Sequence, residues 1–239
     1  MDHDTLVKGS RFHGWRRVGV VQQAMEIHQA RGVDELLLLD IMATREGRGP
    51  DLKRIERLTA KCFVPLTVGG GVRSVDDVRD LLSAGADKVA MCTTQFHTNT
   101  LSEAAARFGA QALVISVDVK EDRVYSNCGT ERWNMKPESF CRLCADDGAG
   151  EVLLTSINSE GTMEGYDVDL IRRVSKAVGV PVIAHGGCSS YADMLDAINA
   201  GASAVAAGAL FLFTDATPLG AAQYLHERGV EVRLQGEAA

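Results

Sequence analysis

The chain has 239 residues, of which 46% are hydrophobic, and it contains 24 glycines against 5 prolines. This composition excludes a disordered tail and allows the core of one large α/β barrel or two small domains. The formal net charge of -7 argues against a general nucleic-acid or membrane-surface binder, so an anionic substrate needs a local site. No apolar run could cross a membrane, and residues 1–10 lack a signal-peptide core, which predicts a cytoplasmic protein.

Amphipathic helices alternate along the chain with short, apolar segments that are typical of strands buried on both faces of a parallel sheet. In chain order the predicted elements are helix Val18–Arg31, strand Glu35–Ile41, helix Leu52–Lys61, strand Val64–Val68, helix Ser74–Ser83, strand Lys88–Met91, helix Thr98–Arg107, strand Ala112–Val119, helix Lys136–Asp147, strand Glu151–Ile157, helix Asp167–Ala177, strand Val182–Ala184, helix Ser189–Asn199, strand Ala204–Ala207 and helix Pro218–Arg228. The alternation predicts a doubly wound sheet or a (β/α)8 barrel. No linker interrupts the chain, which predicts one domain over residues 1–239.

The sequence also matches itself at an offset of 116 residues. Pro65 falls on Pro181, Gly70 and Gly71 on Gly186 and Gly187, and Glu35 on Glu151, while GADKVAMCT lies on GASAVAAGA. This period is too long for a solenoid repeat. Two duplicated halves favour the barrel over the doubly wound sheet.

One barrel strand is missing from this pattern, since eight helices accompany only seven strands. Thr5–Lys8, before the first helix, is too short and too polar to serve. A closed barrel needs that strand, so we expect either a lost N-terminus or a true start upstream.

Two glycine loops, LTVGGGVRS (66–74) and VIAHGGCSS (182–190), follow strands of the two halves. Glycine lets backbone N–H groups approach a phosphate, and the helix N-terminus behind each loop favours negative charge. Both loops lie at the carboxyl ends of strands, where barrel enzymes bind substrate. The pair predicts a substrate with a phosphate at each end, although such loops can also simply close tight turns.

Carboxylates end two of the predicted strands. Asp118 ends the apolar strand in ALVISVDVK, where burial raises a carboxyl pKa towards general acid–base use, so it is our catalytic candidate. Its alternative role is to hold loop amides. Asp40, which ends LLLLD, is interpreted as a supporting residue.

Charged residues begin three strands at the opposite, N-terminal mouth of the barrel: Glu35, Lys88 and Glu151. Such a ring is most often a stability feature, and it could also gate a passage through the barrel. No metal or cofactor is predicted, because the one CxxC motif, Cys141 and Cys144, lacks a second pair or a nearby histidine and reads as core packing.

Six segments together resemble the cyclase subunit of imidazole glycerol phosphate synthase, over nearly the whole chain. They are DELLLLDIMAT, PLTVGGGVRS, GADKVAM, VISVDVK, GAGEVLLTSINSEGTMEGYD and PVIAHGG. The sister isomerase of the same pathway shares the duplication but not LLTSINSEGTMEGYD. The resemblance implies a heterodimer with a glutaminase that docks on the bottom of the barrel. Ammonia crosses the barrel to a bis-phosphorylated substrate, which then splits into imidazole glycerol phosphate and an aminoimidazole ribotide.

The same resemblance assigns roles to individual residues. Asp118 matches one of two catalytic aspartates, Asp40, Thr155 and Ser156 match supporting positions, and Asp87 matches a residue near the glutaminase interface. Gly71 and Thr93 match the residues that bind one phosphate. The other phosphate is matched by Gly161, Gly187, Gly208 and Ala209. Glu35, Lys88 and Glu151 match the charged gate at the ammonia entrance.

The sequence departs from the family in places. The second catalytic aspartate aligns upstream of Met1, Cys92 replaces the usual asparagine beside the first phosphate, and Ser126–Phe140 departs from the usual substrate loop. DIMATREGRGPDL and CFVPL are similar to a branch that supplies ammonia for acetamidino groups on bacterial surface sugars. Three hypotheses follow: a histidine-pathway cyclase, an ammonia-channelling subunit for sugar amidation, and a non-catalytic barrel that binds a phosphorylated ligand.

Overall fold

The computed structural model describes residues 1–92 and 98–234. Its strands in chain order are β1 (Thr5–Ser10), β2 (His13–Val20), β3 (Leu36–Leu39), β4 (Leu66–Gly69), β5 (Lys88–Met91), β6 (Leu113–Lys120), β7 (Arg123–Ser126), β8 (Glu131–Arg132), β9 (Glu151–Ser156), β10 (Val182–His185) and β11 (Ala204–Ala206). Seven of them form a parallel sheet in the order β11-β10-β9-β6-β5-β4-β3. The fold is therefore α/β, with parallel strands in the order of a (β/α)8 barrel.

Helices alternate with these strands and cover the sheet. They are α1 (Val21–Ala30), α2 (Leu52–Thr59), α3 (Val75–Ser83), α4 (Thr100–Phe108), α5 (Pro137–Asp146), α6 (Val168–Ser175), α7 (Tyr191–Asn199), α8 (Ala209–Phe213) and α9 (Pro218–His226). The main core lies between helices and strands, and Cys141 and Cys144 of α5 are completely buried in it. Among the described residues, no helix has the length and apolar character that a membrane span requires.

A second, smaller core shows that the sheet is curled. Ala90, Val114 and Leu153 form a buried cluster, against which Leu39 of β3 and Ile183 of β10 pack. These two strands are far apart in the strand order, so their side chains share one cluster only on a concave inner face. The inside of the sheet is thus a packed core, as in a barrel.

The duplicated halves have matching element boundaries. β4 and β10, α2 and α6, and α3 and α7 begin and end at positions that differ by 116 residues. The helix caps repeat too: Asp51 and Asp167 cap α2 and α6, and Ser74 and Ser190 cap α3 and α7. The repeat in the sequence therefore reflects a repeat of the backbone.

The N-terminal residues correct one prediction. The helix predicted from Val18 begins only at Val21, because residues 13–20 pair as β2 with β1 in an antiparallel hairpin. Thr5–Lys8 belongs to β1 but does not enter the parallel sheet. Among the described residues, no strand pairs with the outer edges of β3 and β11, so the predicted lack of one barrel strand holds for this part of the chain.

The hairpin lies across the carboxyl ends of the strands. The Ile41 N–H, after β3, donates to the carbonyl oxygen of Met1 at 3.1 Å, and the Arg11 N–H donates to the carbonyl oxygen of Glu160, after β9, at 2.8 Å. A second hairpin, β7 and β8, follows β6 and was missed by the sequence analysis. Both hairpins therefore surround the face on which the candidate site lies.

Candidate functional site

Asp118 is buried at the carboxyl end of β6. It pairs in register with Thr155 of β9 and Tyr125 of β7, and only 8% of its surface is exposed. Burial raises the pKa of Asp118 to about 7, the negative charge of Glu160 adds to the rise, and a hydrogen bond with Thr155 opposes it. The Cys92 thiol lies 4.0 Å from the Asp118 carboxylate oxygen Oδ2. A carboxyl group of this kind can both donate and accept a proton near neutral pH.

A histidine extends this line of side chains. His185 ends β10 and pairs in register with Thr155, whose hydroxyl oxygen lies 3.1 Å from the imidazole Nδ1. Burial lowers the pKa of His185 to about 4, the charge of Lys8 lowers it further, and the charge of Glu160 opposes this. The imidazole is therefore neutral at physiological pH.

The four residues assigned to one phosphate surround a single cavity. Gly161, Gly187, Gly208 and Ala209 line it, together with Gly186 and His185. Gly187 has φ +105°, and a Cβ there would lie 2.0 Å from the carbonyl oxygen of Gly165, so only glycine fits. Ala209 begins α8, where the first N–H groups of a helix have no partner within it.

Lys8 and Glu160 form an ion pair at the rim of this cavity. The Lys8 ammonium, on β1, donates to the Glu160 carboxylate, and the two side chains are 15% and 4% exposed. One oxygen of the Glu160 carboxylate, Oε2, is buried without a hydrogen-bond partner. The hairpin thus places a cation beside a cavity lined by glycines, and in this structure the charge of that cation is balanced by Glu160.

The other glycine loop, which contains Gly70 and Gly71, packs closely against the segment that follows β3. A Cβ at Gly71, which has φ +76°, would lie 2.7 Å from the carbonyl oxygen of Arg48. Asp40 holds this segment, since its Oδ1 accepts from the Met42 N–H at 3.0 Å and from the Ala43 N–H at 3.2 Å. Asp40 also pairs with Arg48 at 2.9 Å, which agrees with a supporting position. Thr93, assigned to the same phosphate, lies outside the described residues.

The three charged residues predicted to meet at the N-terminal end of the sheet are in contact there. The Lys88 Nζ donates to Glu151 at 2.7 Å and to Glu35 at 3.1 Å. Although burial alone would lower the pKa of Lys88, its hydrogen bonds with both carboxylates and their charges raise it. The ammonium therefore stays charged between the two acids.

Two further assigned residues have structural contacts. Asp87, exposed beside Lys88, accepts a hydrogen bond from the Leu66 N–H at 2.8 Å. Ser156, which ends β9, donates to Ser159 at 3.4 Å. Within residues 1–92 and 98–234, no group of three histidine, cysteine, aspartate or glutamate side chains could hold a metal ion.

Sequence reasoning missed Lys8, Glu160 and His185 at this site. His185 could have been recognised from the sequence, because it lies in the second glycine loop and replaces the glycine found at the equivalent position of the first half, Gly69. Lys8 had none, because its approach to residue 160 depends on how the hairpin folds.

Together these features define a class: a duplicated, parallel α/β barrel with glycine loops and a buried carboxyl group at the enzyme face. The family model for histidine biosynthesis proteins matches residues 2–217. The chain belongs to this family, whose members are isomerases and cyclases.

Proposed function

We propose that the protein is a cyclase subunit of the imidazole glycerol phosphate synthase type. It takes ammonia from a glutaminase partner and adds it to a bis-phosphorylated ribulosyl-aminoimidazole substrate in histidine biosynthesis. The observation that carries this proposal is the two-ended arrangement, with the Lys88 ion-pair cluster at one end of the strands and Asp118 beside the glycine cavity at the other.

The chemistry needs a proton donor at the position of Asp118. Ammonia attacks the substrate ketone to form a carbinolamine, whose hydroxyl group leaves as water only after it is protonated. A carboxyl group with a pKa of about 7 is half protonated at neutral pH and can supply that proton, then recover one later. The phosphate groups hold the ketone near it through the glycine loops.

An exposed aromatic side chain supports a partner at the gate end. Phe63, in the loop before β4, is 88% exposed. Its N–H donates to the Gln29 side chain at 2.6 Å, and the same side chain donates to the carbonyl oxygen of Lys61 at 3.2 Å. An aromatic side chain on a fixed loop is typical of an interface anchor. It lies at the same end of the strands as Glu35, Lys88 and Glu151.

The direct test is turnover of the bis-phosphorylated substrate with an ammonium salt and no partner. We expect turnover by the native chain and its loss in Asp118→Asn, which keeps the size of the side chain and its fold. Near-normal turnover in that folded variant would remove Asp118 from the mechanism. No turnover by the native chain, while glutaminase binding persists, would favour the second candidate below.

A substitution at Gly208 tests phosphate binding with less distortion of the backbone than one at Gly187. Any Cβ at Gly187 strikes the backbone of Gly165, whereas a Cβ at Gly208 meets only the end of Lys8 at 3.7 Å. Gly208→Val should therefore fill the cavity without distorting the loop, and we expect substrate affinity to fall at least ~10-fold. Gly208→Ala adds only one methyl group, so its substrate affinity should lie between those of the native protein and the valine variant. Unchanged affinity in the folded valine variant would refute this phosphate site.

A second candidate is an ammonia-channelling subunit for acetamidino modification of a bacterial surface sugar. Cys92 favours it, because its thiol lies beside Asp118 where the family usually has an asparagine next to the first phosphate. Glu35, Lys88 and Glu151 are nevertheless joined by ion pairs. Glutaminase binding without turnover of the histidine-pathway substrate would support this candidate. A protein that neither turns over substrate nor binds a glutaminase would leave a phosphate-binding barrel.

A further inference from the structure

Three side chains form a row across three neighbouring strands. Asp118 of β6 pairs with Thr155 of β9, and Thr155 pairs with His185 of β10. Residues paired in register on neighbouring parallel strands project from the same face of the sheet. The Thr155 hydroxyl oxygen lies 3.1 Å from His185 Nδ1, and Thr155 stands opposite Asp118 in the strand register, where it lowers the pKa of the Asp118 carboxyl.

The hydroxyl in the middle has a single proton. If the Thr155 hydroxyl donates its hydrogen bond to an Asp118 carboxylate, it can interact with His185 only by accepting a hydrogen bond from a protonated Nδ1. If it donates to an unprotonated Nδ1, its oxygen accepts from a protonated Asp118 carboxyl. The protonation of one end of the row therefore favours a particular state of the other. A proton that Asp118 gives to the Thr155 oxygen is matched by the Thr155 proton passing to Nδ1, so the hydroxyl is restored.

The histidine end of the row opens on the glycine cavity. His185 lines it with Gly187 and Gly208. The charged groups that face His185 are Lys8 of β1 and Glu160 of the loop after β9. The titratable groups that face Asp118 are the Glu160 carboxylate and the uncharged thiols of Cys92 and Cys128. An anion in the cavity thus lies beside His185, and the row connects His185 to the candidate acid.

We propose that His185 is a positioning residue that, through the Thr155 hydroxyl, sets the protonation state of Asp118 according to whether a phosphate group occupies the glycine cavity. The inference rests on the proposed function for the nature of the anion. A bound phosphate favours the imidazolium form of His185, whose Nδ1–H then donates to Thr155. Thr155 in turn donates to Asp118 and stabilises its carboxylate.

The test is a pH titration of the Asp118 carboxyl carbon by NMR, with and without saturating inorganic phosphate. In the native protein we expect phosphate to lower the Asp118 midpoint by at least ~0.5 pH unit. In Thr155→Val, which keeps the shape of the side chain and removes the hydroxyl, only the direct repulsion between phosphate and carboxylate remains. Phosphate should then raise the midpoint.

Two further variants keep the test decisive if the valine variant does not fold. Thr155→Ser retains the hydroxyl and should behave as the native protein. His185→Asn retains a polar group near the Nδ1 position but cannot become charged, so phosphate should raise the midpoint as in Thr155→Val. A shift of the same sign and size in all folded variants overturns the proposal, as does an absence of phosphate binding to the native protein. The turnover test of the proposed function is separate, because the titration requires no substrate.

Discussion

At the scale of single residues, Asp118 and His185 are shifted in opposite directions by the same cause. Burial penalises the charged form of each, so the pKa of the carboxyl rises to about 7 and that of the imidazole falls to about 4. Between about pH 4 and 7, the fold therefore favours the neutral form of each group. This opposition has a measurable effect on stability.

The effect follows from the linkage between protonation and folding. Asp118 keeps its proton to higher pH when folded than when unfolded, so stability is lost as pH rises from about 3.8 to 7. His185 releases its proton at lower pH when folded, so stability is lost as pH falls from 6.5 to about 4. Each effect is on the order of 3–4 kcal/mol, and between pH 4 and 6.5 they offset each other.

We therefore predict that two single variants show opposite pH dependence. In Asp118→Asn, the free energy of unfolding should rise between pH 4 and 6.5, because only His185 remains. In His185→Asn it should fall over the same interval. Urea unfolding at a series of pH values measures both. Parallel curves for the two variants would show that these groups are not shifted as described.

At the scale of elements, the matching starts of α3 and α7 explain how the glycine loops are held. Ser74 accepts from the Asp77 N–H, and the Asp77 carboxylate accepts from the Ser74 N–H; Ser190 and Asp193 repeat this arrangement. Such a capping box satisfies N–H groups that the helix itself leaves unpaired. It fixes the backbone just after each pair of glycines.

The two caps offer a matched pair of substitutions. Ser74→Ala and Ser190→Ala should each lower the free energy of unfolding by about 1 kcal/mol, because each removes the acceptor of one helix-end N–H. Chemical denaturation measures the loss. Ser83→Ala, at the exposed end of α3, is the control and should change stability by less than about 0.5 kcal/mol. If neither cap variant lost more free energy of unfolding than the control, water would satisfy the helix-end N–H groups as well as the serine hydroxyls do.

The seven parallel strands could be predicted from the sequence because each is short and apolar and lies between amphipathic helices. The meeting of Glu35, Lys88 and Glu151 could be predicted too, since strand starts in a parallel sheet meet at one end. The β1 and β2 hairpin could not, because half of its residues are exposed and its position depends on distant contacts such as that of Arg11 with Glu160. The row from Asp118 to His185 required the register of three strands, which hydrophobic pattern alone does not specify.

At the scale of the whole molecule, the sheet separates the ion-pair cluster at one end of the strands from the glycine-lined cavity at the other. Lys88, Glu35 and Glu151 come from three different strand starts and meet only because the sheet is curled. The packed interior of Ala90, Val114 and Leu153 lies between the two ends. Any transfer of ammonia through the barrel must therefore pass this core.

This separation predicts a selective effect of Lys88→Ala. If the proposed function holds, the glutamine-driven reaction with a glutaminase partner should fall at least ~10-fold. The reaction with an ammonium salt, which would enter at the other face, should change less than ~2-fold. Steady-state rates with each nitrogen source measure the difference. Lys53→Ala, an exposed lysine of α2, is the control. Equal losses with both nitrogen sources would contradict the gate.

The two halves also differ at one equivalent position, and this has a consequence for how a duplicated barrel specialises. Gly69 ends β4 in close contact with Ala90, where even a methyl group would lie 2.8 Å from its neighbours, whereas its counterpart in β10 is His185. In the first half there is no room for a side chain at this position, whereas in the second half the His185 side chain lines the glycine cavity. This single difference makes the two duplicated loops unequal: under the coupling proposed above, only the loop after β10 carries a side chain that could transmit the presence of an anion to Asp118.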